Sequence, residues 1–302
     1  MAEPLPVWHS HRAEQLRPFS DIRLIAADLD GTLISKEVGT VARIESLRRS
    51  LFHPRYRVSM TLATGRIYSG VASLLEHLRL PRQTPLVLYN GSVVAISGSG
   101  EPLLQRRIPS RSLEQVVDHC REHGAVCLAY FFTPNALMSR TAEVVHGWAS
   151  SHPFVQEFNG VRVTWNPSPS GSGEPNAILI VADPTRPTAD AHAVEKALAT
   201  VSGISTTRSG DRYLEIRPAG SNKATALSVV AEFLKVPSHQ ILALGDSDND
   251  AEMLSWAGIG VAIASASPRA LAAASYYCHH GSARGAVEVL RLVREAKRYF
   301  AA

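Results

Sequence analysis

Residues 22–33 read Ile-Arg-Leu-Ile-Ala-Ala-Asp-Leu-Asp-Gly-Thr-Leu, an apolar run that ends at Asp28 and is followed by a second carboxylate at Asp30. The run is short and aliphatic, which is typical of a strand buried on both faces of a sheet. Asp28 and Asp30 would then lie where this strand ends. Three further apolar runs also end in polar segments, namely Thr64-Gly65-Arg66, Asn90-Gly91 and Gly245-Asp246-Ser-Asp-Asn249-Asp250.

The spacing of the apolar runs predicts an α/β fold. Strand-like and helical patterns alternate over residues 20–91 and again over 218–302, which is typical of a doubly wound, Rossmann-like parallel sheet. Because the carboxyl ends of parallel strands face one crevice, we expect the four polar segments to meet there. We therefore predict one catalytic core from these two stretches, preceded by an N-terminal arm at residues 1–19.

Residues 92–217 interrupt this regular alternation. Short strand patterns mix with helical ones, and a loop rich in Pro, Ser and Gly runs from 166 to 173. We predict an inserted α+β domain here. Its predicted helices cover 112–122, 142–150 and 188–201, and its predicted strands cover 93–96, 126–132, 161–165, 177–181 and 212–216.

The composition excludes several other classes of protein. Of 302 residues, 45% are hydrophobic and 19% are charged, so the chain can bury a sizeable core. The net charge of +4 is spread along the chain without a basic run, and we expect no nucleic-acid partner. We expect no membrane partner, because we find neither a signal peptide nor an apolar segment that could span a bilayer. Three scattered cysteines favour a reduced, cytoplasmic protein.

The predicted crevice is rich in carboxylates, which cannot share a pocket in ionised form without a cation. Oxygen ligands without His or Cys select a hard ion, and a small site completed by water favours Mg²⁺ over Ca²⁺. Thr64-Gly65 precedes a predicted helix at 67–78, whose free backbone N–H groups would bind phosphate. The acids that would gather there are Asp28, Asp30, Asp246, Asp248 and Asp250.

The segment Asp28-Leu-Asp30-Gly-Thr32-Leu33 resembles the first motif of the haloacid dehalogenase-like superfamily of phosphotransferases. The likeness covers residues 20–295 and implies a phosphoric monoester hydrolase. Counterparts of the second, third and fourth motifs are Thr64-Gly65-Arg66, Lys223 and Gly245-Asp246-Ser-Asp-Asn249-Asp250.

Two other segments resemble the Cof-like subgroup, whose members carry a bulky α/β cap between the second and third motifs. These are Asn90-Gly91, before the insertion, and Leu214-Glu215-Ile216, before the lysine. The chain departs from the subgroup at Ala264-Ser265-Ala266, where an Asn-Ala pair is usual, and at Cys278-His279-His280, where the loop is often acidic. Both departures are expected near the mouth of the site, so they bear on substrate choice more than on the reaction.

The resemblance implies a role for each motif residue. Asp28 would attack phosphorus and become an aspartyl-phosphate, while Asp30 would protonate the leaving oxygen and then activate water. Thr64 would hydrogen-bond the phosphoryl group, and Lys223 would neutralise its charge. The full set of phosphate-binding residues would be Thr64, Gly65, Arg66, Asn90, Lys223 and Asn249. The residues that bind Mg²⁺ or orient its ligands would be Asp28, Asp30, Asp246, Asn249 and Asp250.

Three functions fit these motifs. The leading hypothesis is a Mg²⁺-dependent phosphatase acting on a small organic phosphomonoester, such as a sugar phosphate or a phosphorylated vitamin-like metabolite, because a closing cap excludes macromolecules. A sugar phosphomutase would use the same Asp28 and pass the phosphoryl group to a second hydroxyl. A phospho-acceptor signalling protein also gathers acids, a Thr and a Lys around one Asp, but Asp30 and the chain length count against it. The oligomeric state is not predicted.

Overall fold

The computed structural model describes residues 2–6, 13–34, 40–135, 140–149, 157–158, 161–181, 191–209 and 213–300. These residues form a parallel α/β core and a second, mostly antiparallel sheet, which confirms the predicted fold class. No helix in the described ranges is both long and apolar enough to cross a bilayer. The helices are α1 (Ala13–Ser20), α2 (Thr40–Phe52), α3 (Ala72–Leu78), α4 (Ser110–Glu122), α5 (Ala191–Leu198), α6 (Lys223–Leu234), α7 (Ala251–Trp256), α8 (Pro268–Ala273) and α9 (Ser282–Phe300).

The core sheet consists of parallel strands that are covered on both faces. Ile25 packs in one hydrophobic cluster with residues of α1, α2 and α9, whereas its neighbours Leu24 and Ala26 pack in a second cluster with α6 and α7. Burial on both faces of the sheet explains why residues 24–27 are all apolar. The spatial order is β1 (Glu3–Pro4), β16 (Tyr276–Tyr277), β15 (Ile259–Ala262), β14 (Ile241–Gly245), β2 (Leu24–Ala27) and β3 (Ser59–Leu62).

The described part of the N-terminal arm packs against this core. Strand β1 pairs in parallel with β16, and the next residue, Leu5, is buried. Leu16 and Phe19 of α1 are also buried and belong to the same hydrophobic cluster as the inner face of α9. These apolar contacts attach the arm to the core sheet.

A small antiparallel sheet continues the core beyond β3. Its strands are β4 (Pro85–Leu88), β5 (Val93–Ile96) and β6 (Pro102–Gln105), and β4 meets the core sheet through a parallel bridge between Ala63 and Val87. The chain reverses after β4 because Tyr89, Asn90 and Gly91 all have positive φ, at 51°, 52° and 94°. Residues 93–105, which the sequence analysis assigns to the insertion, therefore hydrogen-bond to a strand assigned to the core. The domain division itself stays a prediction.

The second sheet, called here the cap sheet, lies between the core and its own helices. Val145 and Leu179 on one face belong to the core cluster, whereas Leu214 and Ile216 on the other face pack with α4 and α5. Neighbouring strands are antiparallel except β8 and β10, which are parallel. The spatial order is β12 (Ile204–Ser209), β13 (Tyr213–Pro218), β11 (Ala177–Val181), β7 (Val126–Asn135), β8 (Arg140–Trp148), β10 (Val161–Trp165) and β9 (Glu157–Phe158).

The helix predicted at 142–150 is wrong, because this segment is strand β8, paired along its length with β7. Ala142, Val145 and Trp148 are spaced three residues apart, and this spacing favours a helix over the two-residue alternation of a strand. In the strand, Val145 faces the core cluster and Trp148 faces the opposite cluster. Pairing with β7 is a tertiary interaction that overrides the local pattern. Residues 150, 188–190 and 212 of the predicted elements lie outside the described residues.

Gly91, in the turn that follows β4, packs closely against the start of helix α6. Its φ is +94°, and a Cβ there would lie 2.1 Å from the backbone oxygen of Asn222. We expect Gly91→Ala to lower the free energy of unfolding by more than about 2 kcal/mol, because backbone strain adds to a clash that only a shift of α6 can relieve. Urea denaturation measures this. Gly171→Ala is the control, since Gly171 has a φ of +78° but nothing within 4 Å of its added Cβ. Equal losses at the two sites would contradict the expected clash.

Candidate active site

The polar segments after β2 and β14 meet helix α6 at the carboxyl edge of the core sheet. The Nζ of Lys223 donates to Asp28 Oδ1 at 2.5 Å and to Asp250 Oδ1 at 2.6 Å, and all three side chains are buried. Lys223 is the first residue of α6, and the helix start is fixed by Asn222, whose side chain accepts a hydrogen bond from the Thr225 backbone N–H. Segments nearly 200 residues apart in the chain therefore share one buried ion-pair cluster.

Three carboxylates face one another in this cluster. Asp28, Asp246 and Asp250 each offer an oxygen, and these oxygens lie within 4.8 Å of one another. Asp246 Oδ1 accepts a hydrogen bond from Thr32 Oγ1 at 2.8 Å. Asp250 Oδ2 accepts from the backbone N–H groups of Asp246 and Ser247, both at 3.0 Å.

The donor set of this cluster fits a hard divalent cation. The cluster offers carboxylate oxygens, and the single positive charge of Lys223 cannot balance the negative charges of three carboxylates. The backbone of Gly31, next to Asp30, lies close to the cluster, since a Cβ added at Gly31 would lie 2.3 Å from Asp246 Oδ2. Asp30 itself contributes no side-chain oxygen to this cluster.

Burial and charge shift the pKa values of the central pair in the cluster. Burial raises the pKa of Asp28 to about 7, and Asp250 adds to this rise, although Lys223 opposes it. Burial opposes the charge on Lys223, but Asp250 and Asp28 outweigh it and raise the pKa of Lys223 above its ordinary value. Lys223 is therefore a cation at neutral pH, and a further cation would favour the ionised form of Asp28.

Asp30 and Arg66 bind each other in the structure. The Nε of Arg66 donates to Asp30 Oδ2 at 2.8 Å and its Nη2 donates to Asp30 Oδ1 at 2.6 Å. The hydrogen bonds to Asp30 raise the pKa of Arg66. The predicted general acid and one predicted phosphate ligand thus form a bidentate ion pair beside the cluster, which the sequence analysis does not anticipate.

Thr64 and Gly65 do not lie at the start of a helix. The helix predicted from residue 67 begins at Ala72, after a single 3₁₀ turn at Ser69–Val71. Thr64 is buried, and its Oγ1 accepts a hydrogen bond from the backbone N–H of Arg66 at 3.1 Å. The prediction that Thr64 and Gly65 precede a helix N-terminus is therefore wrong, whereas phosphate binding by these two residues, which follow β3, stays a prediction.

Glu143 of the cap sheet accepts hydrogen bonds from two backbone N–H groups in the segment that follows Thr64. Its Oε1 accepts from the Tyr68 N–H and from the Tyr89 hydroxyl, both at 2.5 Å, and its Oε2 accepts from the Ser69 N–H at 2.8 Å. Glu143 is not among the predicted site residues, because its segment is predicted to be a helix. Strand alternation with Val145 would have placed it on the face toward the core.

A chain of amides connects the core to strand β13. Asn249 Nδ2 donates to Asn90 Oδ1 at 3.0 Å, and Asn90 Nδ2 donates to Glu215 Oε2. Asn249 Oδ1 is buried and, in the described part of the chain, has no hydrogen-bond partner. Burial raises the pKa of Glu215, although Lys223, Arg217 and the hydrogen bond from Asn90 oppose the shift. Asn90 and Asn249, two of the predicted phosphate-binding residues, thus hydrogen-bond to each other, and Glu215 extends the set into the cap sheet.

A cavity of about 790 Å³ separates the core from the cap sheet at this point. Its size suits a small organic molecule. Lining residues from the core include Asp28, Asp30, Gly65, Arg66, Asn90, Ser247, Asp248 and Asn249, and lining residues from the cap sheet include Tyr130, Leu179, Tyr213, Glu215 and Arg217.

This fold and site define a hydrolase. The sequence profile of the haloacid dehalogenase-like hydrolase family matches residues 25–290. The chain belongs to this family, which confirms the resemblance found in its motifs.

Individual relatives agree with this assignment. The chain is 26% identical over 273 residues to a phosphoglycolate phosphatase of Natronomonas pharaonis, with 90% of this chain and 97% of the relative covered. It is 28% identical over 250 residues to the 5-amino-6-(5-phospho-D-ribitylamino)uracil phosphatase of Bacillus subtilis, covering 80% and 86%. A haloacid dehalogenase-like hydrolase from Bacteroides thetaiotaomicron shares the fold, with a TM-score of 0.70, 24% identity and coverage of 89% and 98%. These findings support the predicted enzyme class, a phosphoric monoester hydrolase.

Proposed function

We propose that the protein is a Mg²⁺-dependent phosphatase that hydrolyses a small organic phosphomonoester through an aspartyl-phosphate on Asp28. The observation that carries this proposal is the buried contact of Lys223 with Asp28 and Asp250, beside Asp246 and open to a cavity of about 790 Å³. A carboxylate nucleophile, an adjacent fixed cation and space for a small molecule are what phosphoryl transfer to an aspartate needs.

In the first half-reaction, a carboxylate oxygen of Asp28 forms a bond to phosphorus while the bond from phosphorus to the leaving oxygen breaks. Lys223 offsets negative charge on Asp28 and on the phosphoryl oxygens. Asp30, in its protonated form, donates a proton to the leaving oxygen. Asp30 is ion-paired with Arg66, and the negative charge of a bound phosphoryl group would compete for Arg66 and release Asp30 for this step.

In the second half-reaction, Asp30 accepts a proton from water, and the water oxygen forms a bond to phosphorus. The bond between phosphorus and the Asp28 oxygen breaks, which returns the carboxylate and releases inorganic phosphate. Thr64, Asn90 and Asn249 would orient the phosphoryl group, and the unpartnered Oδ1 of Asn249 would accept a hydrogen bond from a bound molecule.

The cation would be held by Asp28, Asp246 and Asp250, with Asn249 and the backbone of Asp30 completing or orienting the ligands. When bound, Mg²⁺ supplies positive charge that makes the carboxylates compatible and stabilises the phosphoryl oxygens. The oxygen-only donor set supports this choice of ion.

The substrate would be a sugar phosphate or a phosphorylated vitamin-like metabolite. Support comes from the size of the cavity and from relatives that are named as phosphatases of phosphoglycolate and of a phosphoribitylaminouracil. Glu143 and the chain Asn249–Asn90–Glu215 hold the cap sheet over the site, which would keep large substrates out. A cytoplasmic location remains a prediction.

Removal of divalent cations should stop turnover. We expect phosphate release from a panel of sugar and vitamin-like phosphomonoesters to fall at least about 100-fold in chelator, because unscreened carboxylates repel the substrate, and to return with added Mg²⁺. The measurement is steady-state release of inorganic phosphate. Turnover of no panel member in Mg²⁺, or equal turnover in chelator, would reject the proposal. Conversion of a hexose phosphate to its isomer without free phosphate would instead identify a phosphomutase.

A further inference from the structure

Two arginines line the cavity in the described part of the chain, and their surroundings differ. Arg66 donates two hydrogen bonds to Asp30, which raise the pKa of Arg66. The Nε of Arg217 is buried and has no hydrogen-bond partner among the residues that the structure describes, and burial lowers the pKa of Arg217 although Glu252 and Glu215 oppose this. The Nε end of the Arg217 guanidinium is therefore desolvated, and no carboxylate in the described ranges contacts it.

The alternation of strand β13 directs Arg217 into the cavity. Leu214 and Ile216 point away from the core and pack under α4 and α5. Glu215 lies between these two residues and Arg217 follows them, so Glu215 and Arg217 project from the opposite face of the strand. Both line the cavity. The cap-sheet wall of the cavity thus carries a carboxylate and a guanidinium two residues apart.

The carboxylates nearest to Arg217 are already engaged by other groups. Glu215 accepts a hydrogen bond from Asn90, and Glu252 accepts one from Arg269 at 2.8 Å. Their charges act on Arg217, but among the described residues neither forms an ion pair with it. An unpaired cation at a partly buried position is costly unless a further anion arrives.

We propose that Arg217 binds a second anionic group of the substrate, so that the enzyme prefers phosphomonoesters that also carry a carboxylate or another phosphate. This inference rests on the proposed function, which places the reacting phosphoryl group at Asp28 and Lys223. The remainder of the molecule then occupies the cavity. The planar guanidinium can bind a carboxylate or a phosphate through two hydrogen bonds, which a neutral hydroxyl cannot match.

Matched substrates test this preference directly. In the first pair, 6-phosphogluconate carries a terminal carboxylate where glucitol 6-phosphate carries a terminal alcohol. In the second pair, fructose 1,6-bisphosphate carries a second phosphate that fructose 6-phosphate lacks. We expect kcat/KM to be at least about tenfold higher for the anionic member of one pair. Arg217→Gln should lower kcat/KM for that member by about 10- to 100-fold and leave its neutral partner nearly unchanged. Arg162→Gln, an exposed arginine of β10, makes the same change in net charge and should alter neither.

Binding separates failure of this inference from failure of the proposed function. Titration calorimetry with Asp28→Asn protein, with and without Arg217→Gln, measures the affinity for each pair independently of turnover. The same preference for the anionic member, lost with Arg217→Gln, supports the inference. Equal affinities in both pairs, an equal loss for both members, or binding of none of the four compounds overturns it. Hydrolysis without any preference would overturn the inference and leave the phosphatase proposal intact.

Discussion

Asp28→Asn is expected to reduce phosphate release by at least about 10⁴-fold, because the amide cannot attack phosphorus and because Asp28 is the carboxylate that both contacts Lys223 and lines the cavity. Asp28 is the buried acid whose oxygen lies 2.5 Å from the Lys223 ammonium. The substitution keeps the shape of the side chain and removes a charge that burial disfavours, so we expect the protein to fold.

Two measurements separate loss of the nucleophile from loss of structure. Rapid acid quenching with labelled substrate should trap a phosphorylated protein for the wild type and none for Asp28→Asn. Asp118→Asn, at an exposed position on α4, removes the same charge and should keep full activity. Turnover within tenfold of the wild type in Asp28→Asn, or a label on another aspartate, would place the nucleophile elsewhere.

Lys223→Met is expected to lower the free energy of unfolding by about 3–5 kcal/mol in chelator at pH 8, and activity by at least about 100-fold. The ammonium is the cation that Asp28 and Asp250 share in the buried cluster, so its removal leaves two carboxylates facing each other. Urea denaturation and phosphate release measure the two losses.

The pH dependence of this destabilisation has a defined sign. The pKa of Asp28 is already about 7 with Lys223 present, and loss of the lysine can only raise it further. Asp28 would therefore be protonated at pH 5.5, so we expect a smaller loss of stability there than at pH 8. Lys235→Met, at the exposed C-terminal end of the same helix, should change stability by less than about 0.5 kcal/mol at both pH values. A loss that is equal at both pH values would show that charge repulsion is not its cause.

Much of the core and the cluster could be predicted from local sequence. Apolar runs that end in Asp28 and Asp246 are strands buried on both faces, and parallel strands bring their carboxyl ends together whatever their separation in the chain. Lys223 was predictable from its motif and from the helix start at Asn222. These features depend on strand direction and helix capping, which short segments encode.

The remaining contacts depend on tertiary packing that a single sequence does not display. The Asp30–Arg66 pair depends on how two loops turn toward each other, and Glu143 reaches the core only because β8 pairs with β7. Arg217 escaped notice because an arginine in a strand is commonplace until the opposite wall of a cavity is known. Roles for all of these residues stay predictions until the variants are measured.

The three hydrogen bonds received by Glu143 tie the cap sheet to the segment that follows Thr64 and to Tyr89 in the turn after β4. If the cap sheet swings outward as a rigid body, it must break all three at once and hydrate a carboxylate, two amides and a phenol together. Opening would then be cooperative, because the hydrogen bond from Asn90 to Glu215 also joins the core to the cap sheet and would be lost in the same movement. Product escape would accordingly depend on the rate of that event.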